Sequence, residues 1–234
     1  MICVGPCLIN NDQEAKDAIK LAKDLKRTIT HFRAKIIGGG TQVDKFKEGI
    51  GWAKGMDMLR TIEKIIPTGT EVQTPDQLNS CLDLSYVWVG ARNSQNYSLL
   101  KHISYHKGDV LLKRGVGMTL EETIGIFDIM RLLFKKEPYI IERGINGIDR
   151  IPSQRWHIDL NSILRLKNYR KDIFNKLIVD CSHSAGSKEL VGDIYEAMKS
   201  IGVKHFMFEC TQDGKSQTDQ GHMLSVKELK RIIK

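Results

Sequence analysis

The sequence predicts a single (β/α)8 barrel, a closed ring of eight parallel strands in which each strand is followed by a helix. Short apolar runs alternate with amphipathic segments eight times along the 234 residues. Such strict alternation is typical of parallel sheets with helical crossovers. Eight units in a chain of this length favour a closed barrel over an open sheet, because barrels commonly have this size. We expect one domain over residues 1–234, with no regulatory domain.

The predicted strands are short apolar runs, many of them rich in β-branched residues. One of them, Leu177-Ile178-Val179, is too short for a helix and is followed at once by polar residues. This is the pattern of a strand that is buried on both faces. The eight strands are placed at residues 2–9, 31–37, 69–72, 86–89, 110–113, 139–142, 177–179 and 205–209.

The predicted helices are amphipathic segments, several of which have recognisable ends. Thr119 and Glu122 have the spacing of a capping box, and Asp159 is a favourable N-cap. Pro67 and Gly202 end the helices that precede them. The longest predicted loop covers residues 143–157. The eight helices are placed at residues 12–27, 52–66, 75–82, 93–104, 119–134, 159–171, 188–201 and 225–232.

The composition argues against several classes of protein. The five cysteines are scattered and form no C-x-x-C pair, which disfavours a disulfide framework or a structural zinc module. The chain has no apolar run of the roughly 18 residues that a membrane helix needs and no cleavable leader pattern. The net charge of +8 is spread along the chain without interleaved aromatic residues, unlike a nucleic-acid-binding surface. We expect a cytoplasmic protein that binds neither nucleic acid nor membrane.

Cationic side chains are concentrated at the ends of the predicted strands. Because the carboxyl ends of barrel strands meet at one mouth, these cations would repel one another unless an anion bound between them. Arginine is suited to bidentate recognition of phosphate, and glycines at 90 and 144 let main-chain amides approach such a group. A phosphorylated substrate is therefore predicted. The cations are Arg33, Lys35, Arg92, Lys113, Arg114 and Arg143.

Residues that can bind a metal ion occur in the same strand-end segments: Cys7, His183, Glu209 and Asp219. A thiolate, an imidazole and two carboxylates suit a borderline divalent ion such as Mn²⁺, Fe²⁺, Co²⁺ or Zn²⁺ better than Mg²⁺ or Ca²⁺. From the residues alone, four unrelated polar side chains remain the simpler interpretation.

Several motifs resemble those of the type I 3-deoxy-D-arabino-heptulosonate 7-phosphate (DAHP) synthases, and most closely their short, β-type branch. The resemblance extends from the first strand to the eighth. It implies a (β/α)8 enzyme that condenses phosphoenolpyruvate with erythrose 4-phosphate and releases phosphate, the first step of the shikimate pathway. The motifs are Gly5-Pro6-Cys7, Thr70-Glu71-Val72, Gly90-Ala91-Arg92-Asn93, Leu111-Leu112-Lys113-Arg114-Gly115, Glu142-Arg143-Gly144 and Asp180-Cys181-Ser182-His183.

The resemblance also implies roles for individual residues and an assembly state. Lys113 would lie at the carboxylate of phosphoenolpyruvate and handle a proton, and Glu71 would lie near the enol carbon and the attacking water. With His183 they form the implied catalytic set. We further expect a homo-oligomer, either a dimer or a tetramer. The implied metal ligands are Cys7, His183, Glu209 and Asp219, and the implied substrate-binding residues are Ala91, Arg92, Arg143, Lys113, Arg33 and Lys35.

The second strand departs from the family pattern. The family has F-K-P-R-T-S there, whereas this chain has Phe32-Arg33-Ala34-Lys35-Ile36-Ile37. The order of the cations is reversed and two hydroxyl groups are lost, so recognition of the acceptor's phosphate should be weakened unless the glycines at 38–40 compensate. Asp213 also competes with Asp219 as the last metal ligand. Two alternatives stay open: a sister synthase that uses another aldose phosphate or an amino sugar, and a barrel that binds a phosphorylated ligand without turnover.

Overall fold

A computed structural model of the protein describes residues 1–38, 46–151, 154–218 and 220–234. Eight parallel strands form a ring in the order β1-β2-β3-β4-β5-β6-β9-β10, and β10 pairs with β1 to close it. The predicted (β/α)8 barrel is confirmed. The strands are β1 (Ile2–Gly5), β2 (His31–Arg33), β3 (Thr68–Glu71), β4 (Tyr86–Val89), β5 (Asp109–Lys113), β6 (Tyr139–Glu142), β7 (Ile145–Ile151), β8 (Gln154–His157), β9 (Leu177–Asp180), β10 (His205–Thr211) and β11 (Leu224–Ser225).

Three of these strands lie outside the ring. β7 and β8 form an antiparallel hairpin in the segment for which we predicted only a loop, so that prediction was wrong. The segment contains few apolar residues in alternation, which is why its period of two is hard to detect. The two-residue strand β11 adds to the edge of β10 beyond Glu209.

The helices follow the predicted order but are generally shorter than the sequence patterns suggested. The capping box of Thr119 and Glu122 is present, and Asp159 caps its helix by accepting from the amide of Ser162. The predicted helix 119–134 becomes a π-helix over Ile129–Leu133. No helix in the described ranges is both long and apolar enough to cross a membrane. The helices are α1 (Asp12–Leu25), α2 (Trp52–Glu63), α3 (Pro75–Asn79), α4 (Tyr97–Ile103), α5 (Leu120–Asp128), α6 (Leu160–Tyr169), α7 (Lys171–Phe174), α8 (Cys181–Ala185), α9 (Val191–Ile201) and α10 (Val226–Ile232).

The barrel has two apolar layers because successive side chains of a strand point to opposite faces. The larger layer lies between the strands and the surrounding helices. The smaller one fills the inside of the ring below the mouth and consists of Cys3, Tyr86, Trp88, Leu111, Ile141, Ile178 and Met207. This plug closes the barrel, so the inward-facing residues nearer the carboxyl ends of the strands are available for a site.

Candidate active site

Glu209, at the end region of β10, is the centre of the charged cluster at the mouth. It is fully buried, and its two carboxylate oxygens have different partners. Arg33 Nη1 donates to Oε1 at 2.8 Å, and His222 Nε2 lies 3.0 Å from Oε2. Burial alone would raise the pKa of Glu209, but its electrostatic interactions with His183 and Arg33 and its contact with His222 outweigh burial and lower that pKa well below its usual range. Glu209 is therefore an ionised carboxylate in a site shielded from water.

Arg33 is the last residue of β2, and its guanidinium lies in the interior of the barrel. Its guanidinium lies over the ring of Trp88, 5.2 Å from the centroid, and Nη2 donates to the carbonyl of Cys7 at 3.4 Å. Arg33 is only 1% exposed. Burial would lower its pKa, but Glu209 outweighs burial and raises it, so Arg33 stays charged. Arg33 thus links two of the predicted metal ligands, Cys7 and Glu209, and is less available to a substrate than the resemblance implied.

His183 is held by Asp180 through the short helix α8, which the sequence analysis did not predict. Asp180 caps this helix: its Oδ1 accepts from the His183 amide at 3.2 Å, and its Oδ2 lies 2.8 Å from His183 Nδ1. The other ring nitrogen, Nε2, lies 3.8 Å from Glu209 Oε1. Burial lowers the pKa of His183, which favours the neutral ring that binds metals. A carboxylate behind a histidine in this way fixes the orientation of a metal-binding imidazole.

Lys113, at the end of β5, approaches the carboxylate of Asp180. Its ammonium nitrogen lies 3.3 Å from Asp180 Oδ2, and the side chain is almost fully buried. Burial lowers the pKa of Lys113, and the nearby charges of Arg33 and Arg143 act in the same direction, while Asp180 opposes them. A lysine with a lowered pKa in a polar pocket is suited to proton transfer.

Glu71, which is buried, and Lys35, which is half-buried, form a second ion pair on the β3 side of the mouth, with Lys35 Nζ 3.3 Å from Glu71 Oε2. Trp88 Nε1 donates to the same oxygen at 3.3 Å. Burial alone would raise the pKa of Glu71, but the Lys35 and Lys113 ammonium groups outweigh it and lower that pKa. Gly90 makes room for this carboxylate, because a Cβ there would lie 2.5 Å from Glu71 Oε1.

The predicted phosphate-binding residues form the outer part of the mouth. Ala91 and Arg92 lie in the 3₁₀ turn Ala91–Asn93 that follows β4, and Arg92 is exposed. Arg143 lies over the ring of Trp156 on the hairpin, 4.8 Å from the centroid. Arg114 differs from the rest, because it donates to both Glu142 and Asp159 and its charge is neutralised within the protein.

Residues 32–36, which begin in β2 and continue past its end at Arg33, alternate between the mouth and the outer core. Phe32, Ala34 and Ile36 are fully buried in the core that faces the helices. A Cβ at position 55 of α2 would lie 2.4 Å from that of Ile36, so the two elements are in direct contact. Arg33 and Lys35, by contrast, make their ion pairs in the mouth. Ile36 is therefore a packing residue, although its counterpart in the family motif is a threonine.

Three buried side chains in the described part of the chain have donor atoms close enough to share a metal ion: His183, Glu209 and His222, all within 4.8 Å of one another. Two of them were predicted, and His222 was missed. Cys7 borders the cluster through its carbonyl but is not one of the three. Asp219 lies outside the described residues, and its rival Asp213 is an exposed residue that accepts from the amide of Lys215. Two imidazoles and a carboxylate are a donor set that suits a divalent transition metal.

Comparison with known proteins agrees with this architecture. A protein-family model described as the DAHP synthetase I family matches residues 1–234. Phospho-2-dehydro-3-deoxyheptonate aldolase of Thermotoga maritima is 25% identical over 232 residues, an alignment that covers 93% of this chain and 65% of that protein. The chain thus spans just under two thirds of the length of this curated relative.

Solved structures show the same fold at low sequence identity. A crystal structure of DAHP synthase from Thermotoga maritima has a TM-score of 0.85 and 23% identity, covering 100% of this chain and 67% of that one. A truncated form of the 3-deoxy-D-arabino-heptulosonate 7-phosphate synthase from Thermotoga maritima has a TM-score of 0.81 and 22% identity, covering 100% of this chain and 83% of that one. Since the family model extends over the full sequence, the chain belongs to the DAHP synthetase I family.

Proposed function

We propose that the chain catalyses the metal-dependent, aldol-type condensation of phosphoenolpyruvate with erythrose 4-phosphate to give DAHP and phosphate. The observation that carries the proposal is the meeting of two kinds of chemistry in one mouth. A buried cluster with a metal-binding donor set, His183 and Glu209, adjoins the proton-transfer candidate Lys113 through Asp180. Membership in the family supports the same reaction.

The donor half of the reaction would use the β4, β5 and β6 ends. Arg92, Arg143 and the Ala91 amide would bind the phosphate of phosphoenolpyruvate, and Lys113 would lie at its carboxylate. Glu71 would lie near the enol carbon and orient the attacking water. The fixed position of Arg143 over Trp156 supports this, because a guanidinium held by stacking loses little entropy when it binds a phosphate.

Loss of either phosphate-binding arginine should impair use of phosphoenolpyruvate. Arg92→Ala and Arg143→Ala are each expected to cost about 2–4 kcal/mol in kcat/KM for phosphoenolpyruvate, the scale of one charge-assisted contact to a phosphate. Steady-state kinetics with varied phosphoenolpyruvate would measure this. Arg165→Ala, at an exposed position on α6, serves as the control and should change little. A change of less than threefold in both site variants would mean that the phosphate binds elsewhere.

A divalent ion fits beside these residues. The resemblance gives Cys7, His183, Glu209 and Asp219 as its ligands, and the buried positions of His183 and Glu209 support two of the four. A bound Mn²⁺, Fe²⁺, Co²⁺ or Zn²⁺ would supply Lewis acidity to the aldehyde of the acceptor. The protein would contribute the fixed orientation of His183 by Asp180 and the ionised state of Glu209.

Recognition of the acceptor's phosphate is the part of the site that differs most from the family pattern. Lys35 is paired with Glu71, Ile36 faces the core, and the amide of Gly38 donates to the carbonyl of Glu48. The other two glycines of the 38–40 run lie outside the described residues. β2 ends at Arg33, and we extend the alternation of Arg33 and Lys35 by two residues to propose Ile37 as the position at which a hydroxyl would face the mouth. We expect a high KM for the acceptor on this basis.

Two variants in the segment that follows β2 should therefore have different effects. Ile37→Ser, combined with Lys35→Arg, is expected to lower the acceptor KM by roughly tenfold or more, since it adds a hydroxyl and a guanidinium that can bind a phosphate through two hydrogen bonds. Ile36→Thr should leave that KM unchanged and lower the free energy of unfolding by about 1–3 kcal/mol, because it buries a hydroxyl in the core. Acceptor kinetics and denaturant unfolding would measure the two effects. The β2 interpretation fails if Ile36→Thr is the variant that improves the KM.

Phosphate release from phosphoenolpyruvate in the presence of a panel of aldoses would test the proposal. Erythrose 4-phosphate should give the highest rate, and omission of any aldose should give almost none. Turnover with a different aldose phosphate or an amino sugar alone would identify a sister synthase. Tight binding of phosphoenolpyruvate without turnover for any aldose would identify a binding protein.

We also propose that the protein works in the cytoplasm as a homodimer or homotetramer. All five cysteines are free and buried, which supports a reducing compartment. The assembly state can be measured by sedimentation, and a protein that is monomeric at working concentrations would contradict that part of the proposal.

A further inference from the structure

His222 occupies a position next to Glu209 that no strand-end motif accounts for. It follows Glu209 by 13 residues, and its Nε2 lies 3.0 Å from Glu209 Oε2. Its ring is tilted by 44° to that of His183, with 5.1 Å between the centroids. The two imidazoles therefore flank the same carboxylate, and all three side chains are buried.

The neighbours of the His183 ring direct one of its nitrogens toward the Glu209 carboxylate. Nδ1 lies 2.8 Å from Asp180 Oδ2, and a carboxylate at that nitrogen favours the tautomer of the neutral ring that has its proton on Nδ1. Nε2 then presents its lone pair on the side of Glu209, 3.8 Å from Oε1. This is the arrangement in which proteins prepare a histidine for a metal ion.

Stabilisation of Glu209 alone does not require His222. Arg33 already donates to this carboxylate at 2.8 Å with a permanent charge. A second imidazole beside a carboxylate that is already paired adds a donor atom of the kind that transition metals prefer. The three donor atoms lie within 4.8 Å of one another, so small side-chain rotations would bring all three to one ion at bond lengths of about 2.0–2.2 Å.

We propose that His222 is a ligand of the metal in this chain beside His183 and Glu209, so that the ligand set includes two imidazoles. The inference rests on the proposed function only in placing a divalent ion at the mouth. It differs from the ligand set implied by the family resemblance, which has one histidine. A set of this type suits Fe²⁺, Co²⁺ and Zn²⁺.

The test is the affinity of the whole, substrate-free protein for Co²⁺, measured by competition with a chromophoric chelator. His222→Gln keeps an amide that can donate to Glu209 but removes the imidazole ligand, and it is expected to weaken Co²⁺ binding by at least about tenfold. His222→Asp provides a ligand oxygen but no donor for Glu209, and it should remain within about tenfold of the wild type. His102→Gln, at an exposed position on α4, is the matched control and should bind Co²⁺ normally.

A second readout counts the histidine ligands directly. Each imidazole that binds Co²⁺ gives a strongly shifted, solvent-exchangeable N–H resonance in the proton NMR spectrum. The wild-type Co²⁺ protein should show two such resonances and His222→Gln one. The inference is overturned if His222→Gln keeps full affinity and both resonances. A second combination of results would also overturn it: His222→Asp loses as much Co²⁺ affinity as His222→Gln, and the wild type shows only one resonance. His222 would then act only as a hydrogen-bond donor to Glu209.

These measurements need no substrate and are separate from the test of the proposed reaction. Two resonances and weakened binding in His222→Gln would support the inference even if no aldose were condensed. Conversely, active condensation with one histidine ligand would support the function and refute this inference. Thermal unfolding of each variant establishes that a loss of binding does not come from a loss of the fold.

Discussion

Lys113→Met is expected to lower kcat by about 10²- to 10⁴-fold, the range that one positioned proton donor or acceptor contributes. Lys113 is buried beside Asp180 and its pKa is lowered by burial and by Arg33 and Arg143. If the ammonium form is the active one, kcat of the wild type should fall as the pH rises through this pKa. The ordinary pKa of lysine is about 10.4. Because the pKa of Lys113 is lowered, the decline should begin at a lower pH than that value would give. The methionine variant should lack this limb of the profile.

The controls separate proton transfer from charge and from folding. Lys113→Arg keeps a charge that cannot be removed at working pH, so it should retain binding of phosphoenolpyruvate better than it retains kcat. Lys101→Met, at an exposed position on α4, should have wild-type kinetics. If Lys113→Met raised KM for phosphoenolpyruvate and left kcat unchanged, Lys113 would be a binding residue only.

Removal of the divalent ion is the second large effect that we expect. Exhaustive chelation should lower turnover by at least about 10³-fold, because the polarisation of a carbonyl by a metal ion is worth several kcal/mol. Co²⁺ or Mn²⁺ should restore the rate better than Mg²⁺, since the nitrogen ligand of His183 and the thiolate implied at Cys7 favour transition metals. The measurement is phosphate release before and after chelation and reloading.

Chelation is a cleaner experiment than substitution of Glu209. Glu209→Gln would also leave Arg33 buried without its countercharge, and breaking a buried pair in this way costs about 3–5 kcal/mol of stability. A loss of activity in that variant would have two causes. The metal assignment is contradicted if the chelated protein keeps its full rate and metal analysis finds no ion bound.

The fold was predictable because its signals are periodic and repeated. Most barrel strands carry an apolar run, and the strand order of the closed ring follows the order of the units along the chain. The π-helix at Ile129–Leu133 and the short helix α8 were not predicted. Both depend on local departures from a regular hydrogen-bonding pattern that apolar spacing does not record.

The candidate site was predictable where it lies at the strand ends. His183 and Glu209 could be expected to meet because β9 and β10 are neighbours in the ring, and their carboxyl ends share one edge. His222 could not be found in this way, since it lies beyond the strand, in the 3₁₀ turn Gln220–His222. Its place beside Glu209 depends on the path of the preceding loop. An inventory of every histidine, rather than of strand ends, would have included it.

The side-chain directions at residues 33–36 could have been derived from the sequence alone. Alternation places Arg33 and Lys35 on one face and Ala34 and Ile36 on the other, which is what the structure shows. The partners of the two cations were not predictable. Both were expected to bind a substrate, whereas in the structure each is paired with a carboxylate from another strand end, Glu209 or Glu71.

Formation of the carbon–carbon bond is the most direct test of the central claim. Phosphoenolpyruvate labelled with ¹³C at C3 and erythrose 4-phosphate labelled at C1 would be incubated with the metal-loaded protein and followed by ¹³C NMR. The account predicts a one-bond coupling between the two labels and one phosphate released for each new bond. Both the coupling and the phosphate release should be lost on chelation or in Lys113→Met. Release of phosphate without the coupling, or coupling that persists in the absence of any divalent ion, would contradict it.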